Sequence, residues 1–276
     1  MSAAGPPQGA KAPSGGRTPH AVGGRGGPVL RADQLLVERG LAASRSQAQR
    51  LITAGVRWRG PTGWQSVTKN GDELPAQAEI ELSDTAEARY VSRGGLKLEG
   101  ALAASGIDPA GRVSLDAGQS TGGFTDCLLR LGAARVVGVD VGHGQLHPSL
   151  RADPRVTFLE RINVRSLAAS DLPVSSFDLI VGDLSFISLT LVLPALTALL
   201  APQGDLLLLV KPQFELQPGQ VGKGGIVRDA ALHAQVQARL REACADLTLQ
   251  VAGWHDSPIT GGDGNREFFL HARHGA

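Results

Sequence analysis

Asp116-Ala117-Gly118-Gln119-Ser120-Thr121-Gly122-Gly123-Phe124 is an acid followed by small and polar residues that open onto an apolar, helix-spaced segment. Just upstream, residues 113–116 have the short apolar run of a buried strand. A strand that turns through small residues straight into a helix marks the ligand-binding end of a doubly wound sheet. There the loop backbone can approach a ligand closely and the helix N-terminus faces it. Working outward, the chain after residue 89 keeps alternating. Strands are expected at 113–116, 135–140, 156–160, 177–182, 205–210, 247–253 and 267–273, with helices at 97–105, 124–131, 191–200 and 229–246. Gly106, Gly132 and Gly204 stand where helix stops are needed. Such alternation predicts an α/β fold, a Rossmann-like parallel sheet covered on both faces. The last two strands have no long helix between them and are expected to pair antiparallel at one edge.

The loop spacing does not match the Gly-x-Gly-x-x-Gly fingerprint of pyrophosphate sites. An acid leads into it instead, which suits a ligand with an amino group and no phosphate, S-adenosylmethionine rather than NAD. Asp140 ends the second strand, 24 residues after Asp116, where a carboxylate can accept hydrogen bonds from ribose hydroxyls. Residues 160–163 follow the third strand and can reach adenine. The expected cofactor-binding set is Asp116, Gly118, Ser120, Gly122, Asp140, Asn163 and Asp183. Taken singly, Asp116 and Ser120 also read as helix-capping residues and Asp140 as a strand end.

Four stretches each put a charged candidate, Lys97, Asp183, Lys211 or Glu267, at a predicted exposed end of this sheet: Leu96-Lys97, Gly182-Asp183-Leu184-Ser185, Val210-Lys211-Pro212 and Arg266-Glu267-Phe268. Two lysines held by two acids suit the activation of a hydroxyl nucleophile. No metal-ligand spacing, reactive-cysteine pattern or Ser/His/Asp motif accompanies them, and no metal is expected. The glycine-rich segment 213–228, carrying Lys223 and Arg228, reads either as a loop that closes over substrate or as a plain connection.

The N-terminal part has a different texture. Residues 1–28 are rich in Gly, Pro and Ala, without an acid, and are expected to be a disordered tail. Residues 29–88 form a small α+β unit: helices over 32–39 and from Ser44, then short strands and turns over 56–82. Ser44 and Gln47 stand three apart as a capping-box pair. Basic residues crowd the first part of this unit and acids follow from Asp72 onward. A face carrying Arg31, Arg45, Gln49, Arg50 and Arg57 would track phosphates, with Lys223 adding a contact from the large domain; the bland alternative is an ordinary solvated helix face. Residues 89–276 make the catalytic domain.

The 276-residue chain has a formal net charge of +1, so any polyanion surface must be local. Its two cysteines, Cys127 and Cys244, fall in apolar helical patterns and read as packing thiols of a reducing compartment. The longest apolar run, 189–201, is short and broken by Pro194, so no membrane association is expected and the location expected is cytoplasmic.

The pattern Arg31-x-Asp33, Leu35-Leu36, Gly40, Ser44-Arg45-Ser46-x-Ala48, Leu51-Ile52 and Gly55-Val56 resembles the small RNA-binding domain named after ribosomal protein S-four. Over nearly the whole chain from Leu30, the residues resemble the TlyA, or hemolysin A, family of ribosomal RNA cytidine 2'-O-methyltransferases among the FtsJ-like methyltransferases. The carriers are Ser92-Arg93-Gly94-Gly95-Leu96-Lys97-Leu98, Asp116 through Asp126, Asp140-Val141-Gly142-x-Gly144-Gln145-Leu146, Gly182-Asp183-Leu184-Ser185-Phe186-Ile187-Ser188-Leu189, Lys211-Pro212-Gln213-Phe214-Glu215, Val221-Gly222-Lys223-Gly224-Gly225, Ser257-Pro258-Ile259 and Gly264-Asn265-Arg266-Glu267-Phe268. The resemblance implies a Lys97-Asp183-Lys211-Glu267 catalytic group, S-adenosylmethionine as cofactor and ribosomal RNA or ribosomal subunits as partner. Lys211 is assigned as base with Asp183 orienting it, and Lys97 as the group that stabilises charge on the oxygen, with Glu267 orienting either Lys97 or the hydroxyl. Gln119 departs from the small residue usual at its place. Two other functions fit parts of the pattern, a membrane-active haemolysin and a non-catalytic RNA-binding assembly factor. The oligomeric state and the nucleotide modified are not written in any pattern.

Overall fold

The computed structural model describes residues 28–42, 44–82 and 89–275. The expected N-terminal tail therefore lies outside the described residues, apart from Pro28.

The small unit starts with β1 (Val29–Arg31), α1 (Ala32–Glu38) and α2 (Arg45–Gly55), followed by β2 (Val56–Gly60), β3 (Gly63–Val67), β4 (Glu73–Pro75) and β5 (Ile80–Leu82). Strands β1 and β4 pair antiparallel, and β3-β2-β5 form a separate antiparallel sheet. Ser44 caps α2 as its spacing predicts, its Oγ accepting from Gln47 N at 3.2 Å. The Gln47 side chain reaches across to donate to Tyr90 O at 3.0 Å. Leu35, Leu36, Ala48, Leu51 and Ile52, the predicted stripes of both helices, close a small core with Val56, Val67 and Leu74.

The large unit contains α3 (Gly94–Ser105), β6 (Val113–Ala117), α4 (Gly123–Arg130), β7 (Arg135–Asp140), α5 (Pro148–Arg151), β8 (Val156–Glu160), β9 (Phe177–Gly182), α6 (Leu193–Ala198), β10 (Leu200–Val210), α7 (Pro212–Glu215), α8 (Ala230–Asp246), β11 (Leu249–Asp256) and β12 (Phe268–His274). Its sheet runs β11-β12-β10-β9-β6-β7-β8, with β6 to β10 mutually parallel. The fold is thus α/β, a seven-stranded mostly parallel sheet. The strand order reverses between β6 and β9, which opens a crevice above their C-terminal ends.

Two apolar layers cover the sheet. One gathers Val192, Leu193, Leu196, Val236 and Leu240 from the α6 and α8 side; the other gathers Leu98, Leu102, Phe124 and Leu128 from α3 and α4. Cys127 and Cys244 are free and buried within these layers, and burial pushes their thiols up to about 12 and about 11.

As expected, the last two strands pair antiparallel at one edge of the sheet, with β11 outermost and β12 between it and β10. Two details differ from the sequence reading. The helix expected over 191–200 shortens to α6, and β10 already starts at Leu200, with a register shift between Leu200 and Asp205. The short helices α5 and α7 carry too few residues for a periodic pattern, and each is marked only by proline in its first turn. Among the described residues no helix is long and apolar enough to cross a membrane.

Candidate active site

The sheet topology brings three of the four charged stretches together. Ala117 of β6 pairs with Gly182 of β9, and Gly182 with Leu208 of β10, so the residues that follow these strands emerge along one edge. Because β12 runs antiparallel to β10, its first residue Phe268 pairs with Val210, which sets Glu267 beside Lys211. Pro212 cannot donate to the ladder and starts α7, so β10 ends with Lys211 at the crevice. The first turns of α3 bring Lys97 in from above.

Two ion pairs result. Lys97 Nζ donates to Glu267 Oε2 at 2.5 Å, and both side chains are buried, 9% and 3% exposed. Lys211 Nζ lies 2.5 Å from Asp183 Oδ1, a close ion pair off the hydrogen-bond axis, and donates to Ser185 Oγ at 2.7 Å. Burial raises the Glu267 carboxyl above the ordinary range, against Lys97, which pulls it down; Asp183 pushes it up again and Lys211 pulls it down. The four side chains therefore act on one another as one electrostatic group. Gly261 backs Glu267, since an added Cβ would stand 2.7 Å from Glu267 Oε1.

A cleft of about 450 Å³ opens beside these pairs. Gly118, Ser120, Asp140, Asn163 and Asp183 of the expected set line it, with Val141, Ile162 and Ile187 as apolar wall. A smaller recess of about 180 Å³ continues from it and ends on Ser185 and Lys211, with Ser92 and Gly94 opposite. Gly118 has φ 84°, and a Cβ there would meet Asp183 O at 2.8 Å, so only glycine lets the β6 loop lie this close to the end of β9. Asp140 accepts from Ser120 N at 2.8 Å on one oxygen and from Gly142 N at 2.6 Å on the other. Both oxygens stay fixed at the cleft wall, each with a further lone pair. Asn163 is exposed, its Oδ1 spent on Arg165 N at 3.0 Å.

Two members of the expected set sit behind the cleft. Gly122, φ 95°, backs onto Leu146 and Leu150. Asp116 is fully buried, its Oδ2 accepting from Thr125 Oγ1 at 2.7 Å and its Oδ1 without a hydrogen-bond partner. Burial, with Asp183 and Asp140 adding repulsion, lifts its carboxyl to about 7 although Thr125 pulls the other way. Gln119 explains its departure from a small residue: its amide turns inward, donates to Thr125 Oγ1 at 2.9 Å, and fills the space where Gly138 has no Cβ. Thr125 and Ser185 were not singled out from the sequence, although both lie inside the quoted motifs.

The polar candidates of the small unit are only partly gathered. Arg31 and Arg45 share Asp33, whereas Arg57 on β2 pairs with Glu81 at 3.5 Å and lies over Trp64. Arg50 donates to Ser46 O, Gln49 O accepts from Thr53, and both stay on α2. Lys223 stands exposed in the 213–228 segment. That segment is tied down by Asn265, which is wholly buried, accepts from Val227 N and donates to Gly225 O and Asp263 Oδ2, each at 2.8 Å.

Comparison with known proteins meets this geometry. The sequence pattern of the FtsJ-like methyltransferases matches residues 90–274. A Mycobacterium tuberculosis (strain H37Rv) protein named 16S/23S rRNA (cytidine-2'-O)-methyltransferase TlyA is 49% identical over 244 residues, 88% of this chain and 89% of its own. The Hemolysin A of Brachyspira hyodysenteriae is 37% identical over 247 residues, 88% of this chain and 99% of its own. A solved structure of a Streptococcus thermophilus protein described as a hemolysin superposes with a TM-score of 0.70 at 40% identity, covering 90% of this chain and 89% of that one.

Proposed function

Because the chain belongs to the TlyA, or hemolysin A, family of FtsJ-like methyltransferases, we propose that it methylates the 2'-hydroxyl of cytidine in ribosomal RNA with S-adenosylmethionine. It acts in the cytoplasm on ribosomal RNA or ribosomal subunits, residues 29–88 anchoring the RNA and residues 89–276 performing the chemistry. The observation that carries this reading is the electrostatic coupling of two lysine–carboxylate pairs, of which Lys211–Asp183 lines the recess that continues from a cleft whose walls suit an adenosine-bearing ligand.

The fit to the cofactor rests on particular groups. Asp140 offers two oriented carboxylate oxygens for ribose hydroxyls, Val141, Ile162 and Ile187 offer apolar surface for a purine, and the bare Gly118 backbone leaves room between them. The buried carboxyl of Asp116, lifted to about 7 and with Oδ1 unpartnered, is one whose charged form a cationic ligand above it would favour. When bound, S-adenosylmethionine supplies a methyl group on a positively charged sulfur.

A ribose hydroxyl is a weak nucleophile at neutral pH, so the chain must both orient it and remove its proton. Lys211, as the neutral amine, takes that proton. Asp183 and Ser185 hold the amine at the recess and steady the ammonium that forms. Lys97, fixed by Glu267, faces the oxygen and stabilises its developing negative charge. Phe186, 90% exposed with φ 63° and resting against Phe214 at 5.0 Å between ring centroids, gives the cleft mouth an aromatic face on which a base can stack.

The test is methyl transfer to ribosomal RNA by wild type and Lys211→Ala, with cofactor binding followed by calorimetry. The variant should lose about 10²–10⁴-fold in turnover and keep cofactor affinity. Turnover retained by Lys211→Ala would remove Lys211 from the role of base. No ribose methylation by the wild type on either subunit's RNA would sink the reading as a whole.

A further inference from the structure

Building on the reading of this chain as an RNA-modifying enzyme, we propose that Asp33 is a positioning residue that holds Arg31 and Arg45 side by side as a clamp for one RNA phosphate. Asp33 lies in the first turn of α1, and its side chain is 1% exposed. Arg31 grips it with two parallel bonds, Nε to Oδ1 at 3.0 Å and Nη2 to Oδ2 at 3.1 Å. Arg45, from the start of α2, brings Nη2 to 3.6 Å from the same Oδ2. One buried carboxylate thus joins guanidinium groups from two separate elements.

The backbone that carries this side chain is itself anchored. Asp33 N donates to Asn70 O at 3.1 Å and Ala32 N to Asp72 O at 2.8 Å, so the start of α1 is pinned to the turn between β3 and β4. The Arg31 hydrogen bonds pull the Asp33 carboxyl below the ordinary range, which keeps it charged at neutral pH. Both arginines remain open on their outer sides, 52% and 60% exposed. The turn beside Arg31 carries Gly71, where even a Cβ would come within 3.6 Å of Nη1, so no side chain competes for that flank. A guanidinium has five N–H donors, and Arg31 commits two to Asp33, leaving three for a ligand. The trio carries one net positive charge, and its planar forks match the two-oxygen edge of a phosphate. Arginines aligned in advance lose less side-chain freedom on binding than free ones.

The proposal has a sign opposite to that of simple charge. As a charge alone, Asp33 repels RNA, and its removal strengthens binding; as the post that aligns two arginines, its removal weakens binding. The experiment measures binding of the full-length chain to an in-vitro transcript of large-subunit ribosomal RNA by fluorescence anisotropy over a range of KCl. Asp33→Asn should weaken affinity about tenfold and lower the slope of log affinity against log salt by one to about two units. Glu38→Gln removes an exposed acid from the same helix and should leave the slope unchanged and affinity equal or up to about twofold higher. Arg31→Lys keeps the charge but not the paired bonds, and it should also weaken binding. If Asp33→Asn binds as tightly as Glu38→Gln, the clamp is wrong. Should Asp33→Asn lose its cooperative unfolding transition, Arg31→Lys decides, and wild-type affinity in that variant overturns the clamp. Absence of RNA binding by the wild type overturns the enzyme reading together with the clamp.

Discussion

Burial and the neighbouring Asp183 and Asp140 charges lift the Asp116 carboxyl from 3.8 to about 7, so the folded chain holds a proton there that the unfolded chain gives up near 3.8. The sign follows from linkage: between these two values the native state binds more protons than the unfolded state, and stability falls as pH rises through that window. Above about 7 the cost is fully present. Asp116→Asn keeps an acceptor for Thr125 without the charge, and it should stabilise the chain without cofactor by roughly 2–4 kcal/mol at pH 8, with little gain at pH 4. Urea unfolding at the two pH values checks this; equal gains at both would show that the buried charge is not the cause. The sequence exposes Asp116 as the acid before the loop. It does not expose the two residues beneath it, because Gln119 turning onto Thr125 depends on the missing Cβ of Gly138, on a different strand.

Between strands, the turn before β12 does more than reverse the chain. Asn265 fixes residues 225–227 through its side chain while its own carbonyl accepts from Gly261 N at 2.8 Å, and Glu267 follows two residues later. Asn265→Ala would leave the buried Val227 N–H without its partner and release the glycine-rich segment. An unpaired buried donor costs about 1–3 kcal/mol, so the variant should unfold at lower urea with unchanged m-value and lose turnover more than cofactor affinity. Unchanged turnover would show that the segment does not help to place Glu267. The element pattern was legible where periodicity is strong: β6, β7, β8 and β9 sit where the alternation of apolar runs predicts them. It was less legible where pairing decides. Strand β12 pairs antiparallel with β11 as the missing helix between them predicts, but no local pattern in Phe268–His274 states that its other neighbour will be β10. Lys97 and Glu267 lie 170 residues apart and meet only through that antiparallel insertion, so composition alone could nominate them but not pair them.

Across the chain, a net charge of +1 gives no overall attraction to RNA, and the binding proposed here must come from a local basic face. The small unit supplies it in an uneven way. Arg57 and Arg59 are matched by Glu81 and Glu79 on the strand side, whereas on the helix side Arg31 and Arg45 together face the single Asp33. The two units touch through buried Gln47, whose amide donates to Tyr90 O, so α2 is held against the segment that leads into α3 and Lys97. In the proposed reading, this contact links RNA on the outer face of α2 to the segment that leads toward the recess ending on Lys211. Replacing Arg45 and Arg50 together by Ala removes two exposed or half-buried cations from α2 without touching Gln47 or the buried stripe of Ala48, Leu51 and Ile52. The double variant should bind ribosomal RNA more weakly, with a salt slope reduced by about two units, and should keep its affinity for S-adenosylmethionine and its thermal midpoint. A slope equal to that of the wild type would mean that RNA is gripped elsewhere, and a parallel loss of cofactor affinity would mean that the two units cannot be treated as separate in function.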